Sequence, residues 1–154
     1  MAHPEQFSNP ALIDTIRRRY PTLNSAFTPA KYLIKAERAL HAARLLNDAG
    51  EIEGACNRAY YAMYGAAHAA SLAENRADYK VTKTHSGLIS AFGLYIVSSN
   101  KISRELGHTF NEVEQLRLLA DYTGEDITRE QASIAVKKSE TFVSAIRSLL
   151  SQSD

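Results

Sequence analysis

The sequence predicts an all-α protein, an up-and-down bundle of about five helices with a short extra helix at the N-terminus. Three observations carry that expectation. The 154 residues hold only seven Gly and four Pro, so few positions favour tight turns. Apolar side chains recur at the helical period of about 3.6 along several long stretches, and no stretch alternates with the period of a strand. Asn9, Thr28, Ser103 and Thr128 stand where helix N-caps are needed, the first two directly before Pro.

The elements follow in order. Pro10 to Tyr20 should form a short helix that ends in Arg17, Arg18 and Arg19 and is stopped by Pro21. Thr28 and Pro29 start a long amphipathic helix closing near Gly50, with Leu33, Ala36, Leu40 and Ala43 on its apolar face. The next helix, Ile52 to Glu74, has no obvious solvent side. Ala55, Ala59, Ala62, Ala66, Ala69 and Ala73 make a stripe of small residues, and Arg58, Tyr61, Gly65 and His68 run beside it. Such a helix belongs at the centre, packed antiparallel to its predecessor through the short link at Gly50. Arg58 there requires a carboxylate or a bound anion.

Asn75 to Thr82 reads as a loop. A fourth helix begins near Thr84 with Leu88, Ile89, Phe92, Tyr95 and Ile96 on one face and His85 projecting into it. Asn100 to Ser103 turns the chain into a helix from Arg104 to Tyr122, whose apolar face is Leu106, Phe110, Val113, Leu116 and Ala120. Arg117 falls close to the middle of that face, with Asp121 one turn on. Two readings stand side by side: an ion pair of Asp121 with Arg117 or Arg58 that neutralises charge, or a pocket for a phosphodiester or nucleotide. If the pair is structural, removing Arg117 leaves Asp121 buried alone at a cost of about 3 kcal/mol. Gly124 breaks the helix, and Thr128 with Gln131 forms a capping box for a last helix to about Leu150.

Length suits one bundle domain over residues 28–152, preceded by an N-terminal extension over 1–27. The formal charge of +1 gives no global preference for polyanions, so nucleic acid must be met by a local patch. Cys56 is the single cysteine and reads as a buried small hydrophobe. No apolar run approaches the ~20 residues of a membrane span, and no signal-peptide core opens the chain. A cytoplasmic protein without membrane contact is expected. Glycine-rich phosphate loops, Cys/His metal clusters and H-E-x-x-H are absent, so neither a metal nor a cofactor is expected.

Three segments, NRAYYAMYGAAHA (57–69), KTHSGLISAFG (83–93) and LRLLADY (116–122), taken in that order, resemble the HEPN-domain family across roughly residues 30 to 150. The resemblance implies a small helical bundle, a homodimer, and a partnership with a minimal nucleotidyltransferase in toxin–antitoxin pairs. It also implies metal-independent RNA cleavage: a base activates the ribose 2'-OH, and an Arg stabilises charge developing at phosphorus. Arg117 matches the family's Arg. The His that follows it by four to six positions in nuclease members has no counterpart in Arg117, Leu118, Leu119, Ala120, Asp121, Tyr122. Either Asp121, Tyr122 or His85 moves the proton, or the chain does not cleave RNA by that route. Tyr122 also resembles the tyrosine that partner nucleotidyltransferases modify with AMP. Arg58, Tyr61 and Lys83 are the expected contacts to nucleotide or RNA. The competing expectation is a non-catalytic partner of a nucleotidyltransferase, or a plain dimerisation module.

Overall fold

The computed structural model describes residues 28–74, 85–123 and 126–152, together with Ala11, Thr15, Arg18 and Arg19. Among the described residues from 28 onward, five α-helices follow one another: α1 (Pro29–Asp48), α2 (Ile52–Glu74), α3 (His85–Phe92), α4 (Arg104–Tyr122) and α5 (Arg129–Ser151). There is no strand among the described residues, and the expected all-α bundle is what forms. The four described N-terminal residues are helical and exposed, with the Thr15 hydroxyl donating to the Ala11 carbonyl at 2.8 Å. The rest of the Pro10–Tyr20 helix and the Asn75–Thr82 loop lie outside the described residues.

The helix ends are written in the sequence. Thr28 accepts from the Lys31 N–H at 3.3 Å, with Pro29 in the first turn. At the other end of α1 the Glu51 N–H reaches the Leu46 carbonyl (2.8 Å) and the Gly50 N–H reaches that of Asn47 (3.1 Å). This is a Schellman closure, and it needs the left-handed backbone that Gly50 supplies at φ 78°. Ser103 caps α4 by accepting from the Leu106 N–H at 3.1 Å. Thr128 and Gln131 exchange both bonds of the capping box, at 2.9 and 3.1 Å.

The chain departs from a plain α-helix after Phe92. Gly93–Val97 forms a π-helical turn, closed by the Ser98 N–H and the Ser98 hydroxyl on the Gly93 carbonyl at 2.9 and 3.0 Å. Periodicity cannot show this, because Leu88, Phe92 and Ile96 stay buried as they would on a regular helix. The turn sets Val97 against α4 at Gly107, where a Cβ would come within 3.0 Å of Val97 Cγ2.

Helix α2 is the centre of the fold, in contact with each of the other four helices. Its small residues explain the geometry. Ala55, Ala59, Ala62 and Ala66 are fully buried, as are Ala36 and Ala43 of α1, and α1 and α2 form the most extensive helix pair. At Gly65 the approach is closest: an added Cβ would lie 3.2 Å from Ala36 Cβ and 3.3 Å from the Tyr32 carbonyl oxygen. Phe92, Phe110 and Phe142 meet ring to ring beyond the alanine layer, with centroids 5.4 to 6.1 Å apart. Arg44 pairs with Glu140 at 2.7 Å, and Arg147 with Glu37, so α1 and α5 run antiparallel on the outside.

Candidate functional site

Helices α2 and α4 pack so that Tyr60, fully buried, stacks on Phe110 (5.9 Å) and lies under the Arg117 guanidinium, 4.6 Å from ring centroid to Cζ. Arg117 is 7% exposed, as its place on the apolar face of α4 requires. Its Nη1 donates to Asp121 Oδ2 at 3.3 Å, the long end of the hydrogen-bond range. Its Nε is buried without a partner. The Asp121 side chain is 40% exposed. The ion pair considered between Arg58 and Asp121 does not form, and Asp121 is not the buried carboxylate assumed from the sequence, because it lies on the last turn of α4 where the helix meets solvent.

The second arginine sits on the other side of the same aromatic seam. Arg58 is half-buried and lies over the Tyr61 ring at 4.9 Å, donating to Asn57 Oδ1 at 3.2 and 3.4 Å. No carboxylate pairs with it among the described residues. Tyr61 meets Tyr60 edge-on at 5.4 Å, so ring contacts run without a gap from Arg58 through Tyr61 and Tyr60 to Arg117. Tyr64, His68 and Tyr32 extend the seam toward the start of α1: Tyr64 meets His68 at 4.7 Å and Tyr32 stacks on it at 5.0 Å.

Burial governs the electrostatics. It pushes the Cys56 thiol up to about 11, helped by the Asp121 carboxylate and opposed by Arg117. The Tyr60 hydroxyl is pushed up strongly by burial, with the Glu114 charge adding and Arg117 subtracting. Burial also raises the Tyr64 hydroxyl, with Tyr61 adding. Glu114 is raised by burial and pulled back by Arg117. Burial therefore favours the protonated forms of the Cys56 thiol and of the Tyr60 and Tyr64 phenols around the guanidinium.

Of the candidate residues, the structure brings Arg117 and Asp121 together and joins Arg58 and Tyr61 to them through Tyr60. Tyr122 stays outside this cluster: it is 66% exposed and, five positions on, projects about 140° away from Arg117 around the helix. His85 is the first residue of α3, and its side chain lies outside the described residues, as does Lys83. Sequence reasoning missed Tyr60 and Glu114 as the neighbours of Arg117. Glu114 was findable, because it precedes Arg117 by three residues on one helix face; the cross-helix contact of Tyr60 was not.

The family model for the HEPN domain matches residues 29–149. The chain belongs to the HEPN family. A "UPF0332 protein" of Gloeobacter violaceus is 32% identical over 77% of this chain and 92% of its own length. A Methanocaldococcus jannaschii protein named "Putative toxin" is 35% identical, over 76% of this chain and 84% of its own. A Thermotoga maritima "UPF0332 protein" is 32% identical over 75% and 86%. The HEPN match takes in all seven candidate site residues, and with them the whole aromatic seam. Among the described residues no helix is long and apolar enough to cross a membrane, and no three His, Cys, Asp or Glu side chains gather as metal ligands would.

Proposed function

We infer that this HEPN protein binds RNA phosphate at Arg117 and acts as a metal-independent endoribonuclease, the toxin half of a toxin–antitoxin pair in the cytoplasm. One observation carries the reading: a guanidinium nine-tenths buried on an apolar face, with its Nε unpartnered and a single long bond to a carboxylate. A structural arginine in that position would be fully hydrogen-bonded. Unused donor capacity beside a low-dielectric wall suits a developing phosphorane charge. The "Putative toxin" name of a relative agrees with it.

In the chemistry proposed, the Asp121 carboxylate takes the proton of the ribose 2'-OH as O2' attacks phosphorus. Arg117 neutralises the equatorial oxygens, the P–O5' bond breaks, and the leaving O5' takes a proton from water. The products are a 2',3'-cyclic phosphate and a 5'-OH end. Arg58, Tyr61 and Lys83 hold the strand; His85, at the start of α3, is the alternative base. Two copies would complete the cleft as a homodimer.

Incubation of the protein with total RNA and defined oligonucleotides in EDTA, beside Arg117→Ala, tests this. Cyclic-phosphate ends that vanish in the variant are expected; cleavage that survives it removes Arg117 from the chemistry. The 66% exposure of Tyr122 favours a second reading, in which a partner nucleotidyltransferase modifies that hydroxyl with AMP and the chain itself is not catalytic. Absence of cleavage by folded wild type, with an AMP adduct at Tyr122 on coexpression, would decide for it.

A further inference from the structure

The close approach of α1 and α2 leaves a groove of about 430 Å³ along the outer edge of the pair, within the size range of small-ligand pockets. Its floor is small, at Ala39, Ala42 and Gly65, and its walls are long: Tyr32, Lys35 and Arg38 from α1, Arg58, Tyr61 and Tyr64 from α2. The wall residues of α1 recur every three positions and those of α2 every three, so two helical stripes face each other across it. Because the helices are antiparallel, with Gly65 against Ala36 and Tyr32 against His68, the groove is graded. Tyr32 and Tyr64 lie at one end, Arg38 and Arg58 at the other, and Lys35 between.

The charges distinguish this groove from its neighbour. On the opposite side of α1, the cleft against α5 also holds two arginines, but Arg44 is paired with Glu140 and Arg147 with Glu37. That cleft is electrostatically complete. Lys35, Arg38 and Arg58 have no carboxylate partner among the described residues, although like charges lining one groove repel. An occupant that brings distributed negative charge and flat rings satisfies both features, and a single strand of RNA has both along its length.

We propose that the α1/α2 groove is a lane for single-stranded RNA, in which bases stack on Tyr61 and the tyrosines at its aromatic end while Lys35, Arg38 and Arg58 hold successive phosphates. This rests on the reading that the chain binds RNA, and it extends that reading to α1, which holds no residue of the Arg117 pocket. Stacking on tyrosine and charge contacts to phosphate do not select a base, so this binding tolerates sequence and discriminates against duplex, whose bases are not available to stack.

The test is fluorescence anisotropy with a short fluorescein-labelled oligoadenylate in EDTA, on the full chain carrying Arg117→Met so that cleavage cannot intervene. Lys35→Ala with Arg38→Ala is expected to weaken binding at least about 10-fold at moderate salt. It should also flatten the slope of log K against log salt by about 1.4, two contacts at ~0.7 each for single strands. Tyr61→Ala should weaken binding about 10-fold with the salt slope unchanged, and Tyr61→Phe should restore it. A labelled duplex of equal length should bind more weakly than the single strand.

Unchanged affinity in both the double variant and Tyr61→Ala overturns the proposal, as does equal binding of duplex. If the double variant instead dissociates a dimer in light scattering, the face belongs to a second copy and the lane is wrong. The outcome separates from that of the ribonuclease reading: groove variants that lose RNA while wild type cleaves nothing leave a binding protein, and cleavage with neutral groove variants leaves an enzyme without this lane.

Discussion

Replacing Arg117 by methionine should change stability by no more than about 2 kcal/mol in either direction. The structure supplies the terms. The variant loses one long ion pair to a partly exposed carboxylate, about 0.3–0.5 kcal/mol for an i,i+4 pair. It also loses the guanidinium over Tyr60, about 0.5–2 kcal/mol depending on desolvation. In return it removes a buried Nε with no partner, which costs about 1–3 kcal/mol while it stays unmade. A methionine of similar length keeps contact with the Tyr60 ring, so no large cavity opens. The balance runs from about 1.5 kcal/mol against the variant to about 2 kcal/mol in its favour, and Asp121, already in contact with water, is not stranded. That replaces the loss of about 3 kcal/mol that a buried partner would have implied. Urea unfolding of both proteins at one concentration measures it, with thermal midpoints expected to move by about 2–4 °C per kcal/mol. A loss of 3 kcal/mol or more would show that Arg117 is a keystone of the fold and refute the argument that it is held for a ligand.

Three further outcomes follow from the same geometry. Gly65→Val should destabilise by about 1–3 kcal/mol, because the backbone of Tyr32 and Ala36 stands where the branched side chain must go; an unchanged urea midpoint would mean that α1 and α2 part easily. Cys56, fully buried with its thiol near 11, should react with DTNB on the order of 100-fold more slowly in the native protein than in urea; fast labelling at neutral pH would contradict the packing of α2 on α4. Glu114 is raised above its ordinary 4.5 by burial, so between that value and its folded pKa the native state binds more protons than the unfolded one, and stability falls as pH rises through the window. Glu114→Gln should therefore flatten that part of the curve and gain on wild type above it; a steeper fall in the variant would reverse the sign.

Much of this fold was legible because helix ends and periodicity are local. Thr28 with Pro29, Ser103, and Thr128 with Gln131 each cap the helix they were expected to cap, and the span of the central helix and of α4 follows from their flanking turns. The π-helical turn at Gly93–Val97 was not legible, since it shifts the register without exposing Ile96. Arg117 was found by its wheel position alone. Its partners were not: whether Asp121 is buried depends on where α4 meets solvent, and whether Arg58 or Tyr60 shares its pocket depends on the packing of α2, neither of which is a local property of the chain. The groove cations were equally hidden, because Lys35 and Arg38 look like the solvent face of an amphipathic helix until Arg58 and Tyr61 are brought opposite them.

The small residues and the unsatisfied cations are two consequences of one arrangement. Alanine and glycine let α1 and α2 approach until only the side chains at the margins remain long, and those are tyrosine, lysine and arginine. The same close packing places Tyr60 against α4, where it supports Arg117. The interior is therefore a continuous row of rings with a guanidinium stacked on it at Tyr61 and another at Tyr60. Neither guanidinium is neutralised well by the protein. A fold selected only for stability would have placed carboxylates or apolar groups there, as it does between α1 and α5. Leaving two arginines short of partners along one seam suits a site for an extended anion, and it explains why Arg117 is expected to matter far more to RNA binding than to stability.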